Sequence, residues 1–260
     1  MSQGPDSCDV VISFDFDAEE VWLAEHAGNA SRPGTLSQGT YGAKVGVPLV
    51  LDVLRRLELP ATFFVPGRVA ERHPHRVAEI LAGGHELGHH GYTHTSPAEL
   101  SAEDEEAELV RGLEVLTGMG GTVTGYRSPS WDFSPVTLDL LVRYGFRYSS
   151  NLMDDVRPYR HAGHDLVELP VHWTLDDAPH FWFDTRTWDR TIRTSAEVRT
   201  LWQEEFEGIQ ALGGLVMLTM HPQIIGRPGR IRMLEEFLRW ARERDGVRFS
   251  TAFGVASTAA

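Results

Sequence analysis

Two carboxylates one residue apart close the first strongly apolar stretch of the chain, in Phe14-Asp15-Phe16-Asp17-Ala18-Glu19. At the end of a buried strand such groups must be hydrogen-bonded, cation-paired or metal-bound, because free charge is costly to bury. Two loop carboxylates facing water would read the same way, so Asp-x-Asp needs partners before it signals chemistry. A phosphatase opening on Asp-x-Asp wants Thr or Val where Glu19 stands and a lysine well downstream, whereas the one lysine here is Lys44. Phosphoryl transfer is therefore disfavoured.

Four of the 12 histidines gather in His85-Glu86-Leu87-Gly88-His89-His90-Gly91-Tyr92-Thr93-His94, which reads in two registers. His85-Glu86-x-x-His89 matches a zinc-protease motif whose histidines must share one face of a long helix. Gly83-Gly84 before it and Gly91 after it argue against that helix. The longer metalloprotease pattern fails too, since its Gly and third His fall on Tyr92 and Thr95. In the second register, His90-x-x-x-His94, a pair at this spacing arises by chance about half a time in such a chain, so its weight comes from Asp17. One Asp and two His form a sound ligand set for a divalent metal with positions left for water and substrate, and Asp15 is then free to act as a base.

The elements that must position these groups alternate. Short apolar strands are expected at residues 10–14, 61–65, 85–89, 122–126, 147–149, 166–172, 215–220 and 247–250. Helical spacing is found at 48–57, 76–82, 102–116, 135–144, 198–212 and 231–242. This pattern predicts repeated β-α units and one barrel-like α/β domain with a parallel sheet. Two long loops are expected, at 18–41 and 176–195, where barrels build active sites. The acidic run 103–108 reads as the solvated start of a helix.

Composition narrows the partners. With 24 basic and 37 acidic side chains the net charge is −13, which excludes a nucleic-acid binder relying on overall charge. An apolar fraction of 42% with 23% charged residues suits a folded globule rather than a disordered chain. Cys8 is the one cysteine and has no partner for an intramolecular disulfide. Residues 1–9 do not read as a signal peptide and no apolar run reaches membrane-spanning length, so a cytoplasmic protein with no membrane partner is expected.

With these motifs in order, the sequence resembles the polysaccharide deacetylase family (carbohydrate esterase family 4, the nodulation-deacetylase homology domain), in particular its peptidoglycan deacetylase-like and allantoinase- or imidase-like branch. The resemblance runs from Val10 to about Phe253. It implies Asp15 as base and Asp17, His90 and His94 as metal ligands. Gly125-Tyr126-Arg127-Ser128-Pro129-Ser130-Trp131 is similar to the motif whose Arg pairs with the base. His172-Trp173-Thr174-Leu175-Asp176 and Leu218-Thr219-Met220-His221-Pro222 are similar to the last two motifs. The resemblance further implies a distorted (β/α)7 TIM-like barrel, one catalytic domain over residues 1–260, and a homo-oligomer in which 18–41 is a candidate to cover a neighbour's active site.

A zinc-like ion on Asp17, His90 and His94 would bring the pKa of its water toward about 7 and polarise an amide carbonyl. Co2+, Mn2+ or Ni2+ would suit the same ligands. Arg127 would keep Asp15 ionised, and His221, its pKa raised by Asp176, would protonate the leaving amine. Taken singly, His221 also fits a hydrogen-bonded barrel-end histidine and Arg127 a surface cation. Trp131, Trp173 and Trp182 could stack on a sugar or a flat imide, or simply pack the barrel end. Arg227, in a basic segment after His221, could bind a substrate carboxylate or begin a solvated helix. The expectation is a metal-dependent hydrolase of non-peptide C–N bonds that deacetylates an N-acetylated sugar or related small amide. The alternatives are a cyclic-amide ring opener and an inactive carbohydrate-binding barrel.

Overall fold

The first strand, β1 (Cys8–Asp15), is buried along its whole length, as a near-continuous run of Val, Ile and Phe requires of a strand covered on both faces. Its side chains alternate between two cores. Val10, Ile12, Phe14 and Phe16 join the outer core beneath the helices, while Val11 joins Phe64, Tyr148, Leu169 and Met217 inside the sheet's curl. Ser13 and Asp15 share the inner face with Val11.

The computed structural model describes residues 8–183, 188 and 191–259. After β1 come β2 (Thr62–Val65), β3 (Glu86–His89), β4 (Gly125–Tyr126), β5 (Tyr148–Ser149), β6 (Tyr159–Arg160), β7 (Val167–Glu168), β8 (Leu215–Met220) and β9 (Val247–Ser250). Their spatial order is β6-β7-β5-β4-β3-β2-β1-β8, with β9 paired to the first half of β1. All pairings are parallel except β6 with β7. Seven parallel strands, from β7 along this order to β8, form the wall. A bridge between Asp176 and Thr219 brings the chain beyond β7 against β8, which gives the expected distorted (β/α)7 barrel.

Six helices form where the apolar spacing predicts them: Val47–Leu57, Pro74–Ala82, Ala102–Gly118, Thr137–Arg143, Ser195–Leu212 and Pro228–Arg242. Two of them start earlier than the spacing suggests because Pro74 and Pro228 occupy the first turn. A third does so because Thr194 and Glu197 form a capping box. Among the described residues no helix is long and apolar enough to cross a membrane.

Four expectations change. Residues 122–126 and 166–172 give ladders of only two residues; beyond them the backbone stays paired but off register, as in Arg147 N–H to Thr124 O and Val171 N–H to Leu152 O. Residues 18–41 are not a loop: they hold a helix Glu20–Glu25, a 3-10 turn Ala27–Ser31 and a helix Pro33–Tyr41. These short surface segments carry little apolar periodicity, and Gly39 lets the last of them lie on the β1 exit, where a Cβ would stand 2.4 Å from the Ala18 carbonyl. Residues 176–195 include a short helix Ala178–Phe181, while 184–187 and 189–190 of that expected loop, like 1–7 of the N-terminal stretch, lie outside the described residues. The acidic run is only partly solvated, since Glu105 is buried and accepts hydrogen bonds from Ser134 and Thr137.

Candidate active site

The strand period explains the spacing of the two carboxylates. With Phe16 turned outward into the core, Asp15 and Asp17 both point into the barrel mouth and are 3% and 1% exposed. Below them Arg127, at the end of β4, is fully buried. Its Nη1 donates to Asp15 Oδ1 and to Ser13 Oγ, both at 2.8 Å, its other nitrogens donate to Ser150, and the guanidinium lies 4.2 Å over the Phe64 ring. Burial works to raise the Asp15 pKa, but Arg127, with His90 and His221, outweighs it and holds the carboxyl below the usual range.

His90 and His94 follow β3. Gly88 leaves the inner face open for the Phe64 ring, 2.5 Å from where a Cβ would stand, and the same alternation turns His90 inward and His89 outward. His90 Nδ1 donates to the Arg127 carbonyl at 2.7 Å, which leaves the Nε2 lone pair facing Asp17 Oδ1 at 3.4 Å. His94 Nε2 stands 3.7 Å from the same oxygen. Burial holds both imidazoles below their usual pKa, so both offer lone pairs. Asp17 Oδ1 is buried without a hydrogen-bond partner, and burial together with Asp15 pushes its carboxyl upward. An orphaned carboxylate oxygen facing two imidazole lone pairs is what a divalent cation would satisfy, and these three residues fit one.

The other histidine register has no such use. His85 and His89 flank a strand, not a helix. Glu86 turns to the closed end of the barrel and accepts from Thr62 Oγ1, Tyr148 OH and Phe253 N–H. The protease pattern is therefore not assembled.

His221 ends β8 beside Asp17, with Nε2 3.8 Å from Asp17 Oδ2. Its Nδ1 donates to Asp177 Oδ1 at 2.6 Å, and its backbone N–H also meets that carboxylate. Burial lowers the His221 pKa, but Asp177, Asp176 and Asp17 together raise it well above the usual value. The sequence pointed to Asp176 as the partner; the structure gives the hydrogen bond to Asp177. Asp177 N–H bonds the Thr219 carbonyl and brings the second carboxylate under the ring. Asp176 instead accepts from Ala178 N–H and stands 3.8 Å from Nδ1, with its pKa pushed up to about 7 mainly by burial. The Asp176-Asp177 doublet was the available signal.

These groups floor a cavity of about 720 Å³ whose walls include Trp131, Trp173, Trp182, Ser130, Val21 and Glu25. Ser130 and Trp131 are both left-handed, at φ 64 and 56, which turns the Trp131 ring onto Trp173 at 4.3 Å. Trp182 stacks on Trp22 at 4.8 Å. Val21 and Glu25 come from residues 18–41, which thus cover this chain's own pocket. Arg227 is not part of the cavity wall. It lies 3.7 Å over the Tyr41 ring just before the helix Pro228–Arg242. Gln223, which sequence reasoning missed, directs Nε2 toward Asp17 Oδ2 at 3.5 Å from two residues past His221.

Known proteins resemble this chain to different degrees. A family model described as polysaccharide deacetylase matches residues 39–149. The peptidoglycan deacetylase of Helicobacter pylori is 30% identical over 272 residues, covering 93% of this chain and 92% of that protein. A solved Mycobacterium smegmatis structure assigned to the polysaccharide deacetylases is 40% identical with TM-score 0.94, over 98% of this chain and 90% of its own. The solved Puue allantoinase shares the fold at TM-score 0.83 with 21% identity, over 98% and 90% of the two chains. With that relative matched nearly end to end, the chain belongs to the polysaccharide deacetylase family.

Proposed function

We propose that this chain removes the acetyl group from an N-acetylated amino sugar, using a divalent cation held by Asp17, His90 and His94. Zinc suits one carboxylate and two imidazoles, and Co2+, Mn2+ and Ni2+ suit them as well. One observation carries the reading. Asp15 and His221, on adjacent strands, flank Asp17 with opposite proton affinities, the carboxyl held down by Arg127 and the imidazole held up by Asp177. Two titratable groups pushed apart in this way are an acid and a base in waiting.

Such a cation supplies charge, as a Lewis acid toward an amide carbonyl and toward water. The protein supplies the rest. Asp15, ionised, takes a proton from the water that attacks the acetyl carbon. His221 donates from Nε2, the nitrogen that Asp177 leaves free, to the departing amine. A C–O bond forms, the C–N bond breaks, and acetate and an amino sugar are released. The tryptophan pairs offer flat apolar faces for a sugar ring. Members of the family hydrolyse C–N bonds, and a full-length relative is a peptidoglycan deacetylase, which favours an amino-sugar substrate. We further take the chain to act as one catalytic domain, as a cytoplasmic homo-oligomer, on a small molecule or oligosaccharide.

The test is an assay of zinc-loaded and chelated protein against N-acetylglucosamine oligomers, allantoin and hydantoin. Acetate release from the sugars that disappears on chelation is expected. Ring opening without acetate release, or sugar binding with no turnover, would overturn the proposal.

A further inference from the structure

We infer that Glu108, outside the ligand set, is a positioning residue that fixes the spacing of the His90–His94 pair. The inference rests on the proposed cation site. The segment between the two imidazoles reverses within five residues, with Gly91 at φ 71 and His94, a β-carbon-bearing residue, at φ 60. A left-handed histidine persists only where its surroundings over-determine it.

Two helices hold it: Gly67 N–H and Arg68 N–H of the helix Gly67–Arg72 donate to the Gly91 and Tyr92 carbonyls, both at 3.0 Å, and the helix Ala102–Gly118 takes the amide side. From it Glu108 Oε2 accepts the backbone N–H groups of Thr93 at 2.7 Å and Tyr92 at 3.0 Å, while Oε1 accepts the Thr93 hydroxyl at 2.9 Å. The third amide of the turn, Gly91 N–H, donates to His89 Nδ1 at 3.1 Å, and His89 Nε2 donates to the Leu109 carbonyl of the same helix at 3.0 Å. Accepting at Nδ1 and donating at Nε2, the buried ring is held in one neutral tautomer by these two bonds. One turn further on, Gly112 lets the helix lie flush, since a Cβ there would come within 2.9 Å of the Gly91 carbonyl. Three consecutive amides between the ligands are thus held through one helix, two of them by a single carboxylate oxygen. Without Glu108 the two amides next to His94 lose their acceptor while the Gly91 and Tyr92 carbonyls stay held, so the turn relaxes at its His94 end and carries the second imidazole off Asp17.

The test measures zinc affinity by chelator competition on the full-length apo-protein, with hydrogen exchange of the Tyr92 and Thr93 amides read in parallel. Glu108→Ala is expected to raise the zinc Kd tenfold or more, in line with the usual effect of groups that orient metal ligands, and to speed exchange at both amides. Glu108→Gln, whose amide oxygen can take both N–H groups, should stay within threefold of the parent. Phe237→Leu, in a part of the core packed on Trp202 and Phe206, should lower Tm and leave Kd unchanged. If Glu108→Ala does not fold, Thr93→Ala, which removes the hydroxyl's contacts with Glu108 and Thr95 and leaves both amides on Glu108, should raise Kd about threefold at parental Tm. A parental Kd in Glu108→Ala or in Thr93→Ala overturns the inference, and so does an equal rise in Phe237→Leu. A parent protein that binds no zinc defeats the cation reading instead, and the amide exchange then decides whether Glu108 holds the turn.

Discussion

Arg127 meets Asp15 at 2.8 Å with no part of its side chain exposed, and its own backbone carbonyl accepts from the His90 ring. One residue thereby sets the charge of the proposed base and the tautomer of a proposed ligand. Removing it should be severe. Arg127→Met leaves a buried carboxylate without its cation, a change worth about 3–5 kcal/mol of stability. Adding Asp15→Asn should restore most of that loss. Denaturant titration of both single variants and the double variant measures the coupling, and strictly additive losses would show that the pair is not coupled. Asp15→Asn alone should cost at least about a hundredfold in rate while bound zinc is retained.

Asp177 should set the alkaline limb of the activity profile. His221 donates only when protonated, and its pKa lies well above the usual value, so activity should fall as pH rises through that raised value. Asp177→Asn removes the charge hydrogen-bonded to Nδ1 and should move the limb to lower pH, with a smaller shift from Asp176→Asn. The stability linkage has the same sign. The ion pair's contribution is complete below the unfolded histidine pKa of about 6.5 and is lost as pH rises through the folded one. A kcat/KM profile unchanged in Asp177→Asn would remove Asp177 from this role.

Chelation should lower Tm as well as activity. A cation that binds only the folded state adds about 2.7 kcal/mol at a hundred times its Kd. His94→Ala should melt at the same temperature with and without zinc, because it lacks one of the three groups around the orphaned Asp17 oxygen. Differential scanning calorimetry across a zinc titration decides this, and a zinc-dependent Tm in His94→Ala would place the cation elsewhere.

Trp173 is 44% exposed and stacks on Trp131 at the cavity wall, so truncating it disturbs substrate more than fold. Trp173→Ala should raise KM for sugar oligomers about three- to tenfold, in line with about 0.5–1.5 kcal/mol for aromatic contacts, with Tm nearly unchanged. A loss confined to kcat would argue against a stacking wall.

The residues that strand alternation alone can aim were legible in the sequence. Asp15 closes β1 with Asp17 two residues on, and His90 and His221 come directly after β3 and β8, where the alternation carries on inward. What tertiary contacts decide was not legible. Whether Asp176 or Asp177 reaches His221 turns on one backbone bond to Thr219, which no local pattern announces. Arg227 looked available for substrate, yet its place is set by Tyr41, far away in sequence. The helix Pro33–Tyr41 escaped because a segment of Gly, Ser and Thr shows no apolar period, although Pro33 marks where it begins, and Glu20–Glu25 escaped because six residues are too few to show one.

The uneven ladders of the barrel have a mechanical consequence. β1 and β8 share six register pairs and carry Asp15, Asp17 and His221, whereas β4 and β7 contribute two residues each and carry Arg127 and the approach to Trp173. Cooperative opening begins where regular pairing is thinnest. Hydrogen exchange is therefore expected to be slower in the β1–β8 flank of the pocket than in the β4–β7 flank. The groups proposed as acid, base and ligand carboxylate lie along the first, and the aromatic wall of Trp131 and Trp173 along the second.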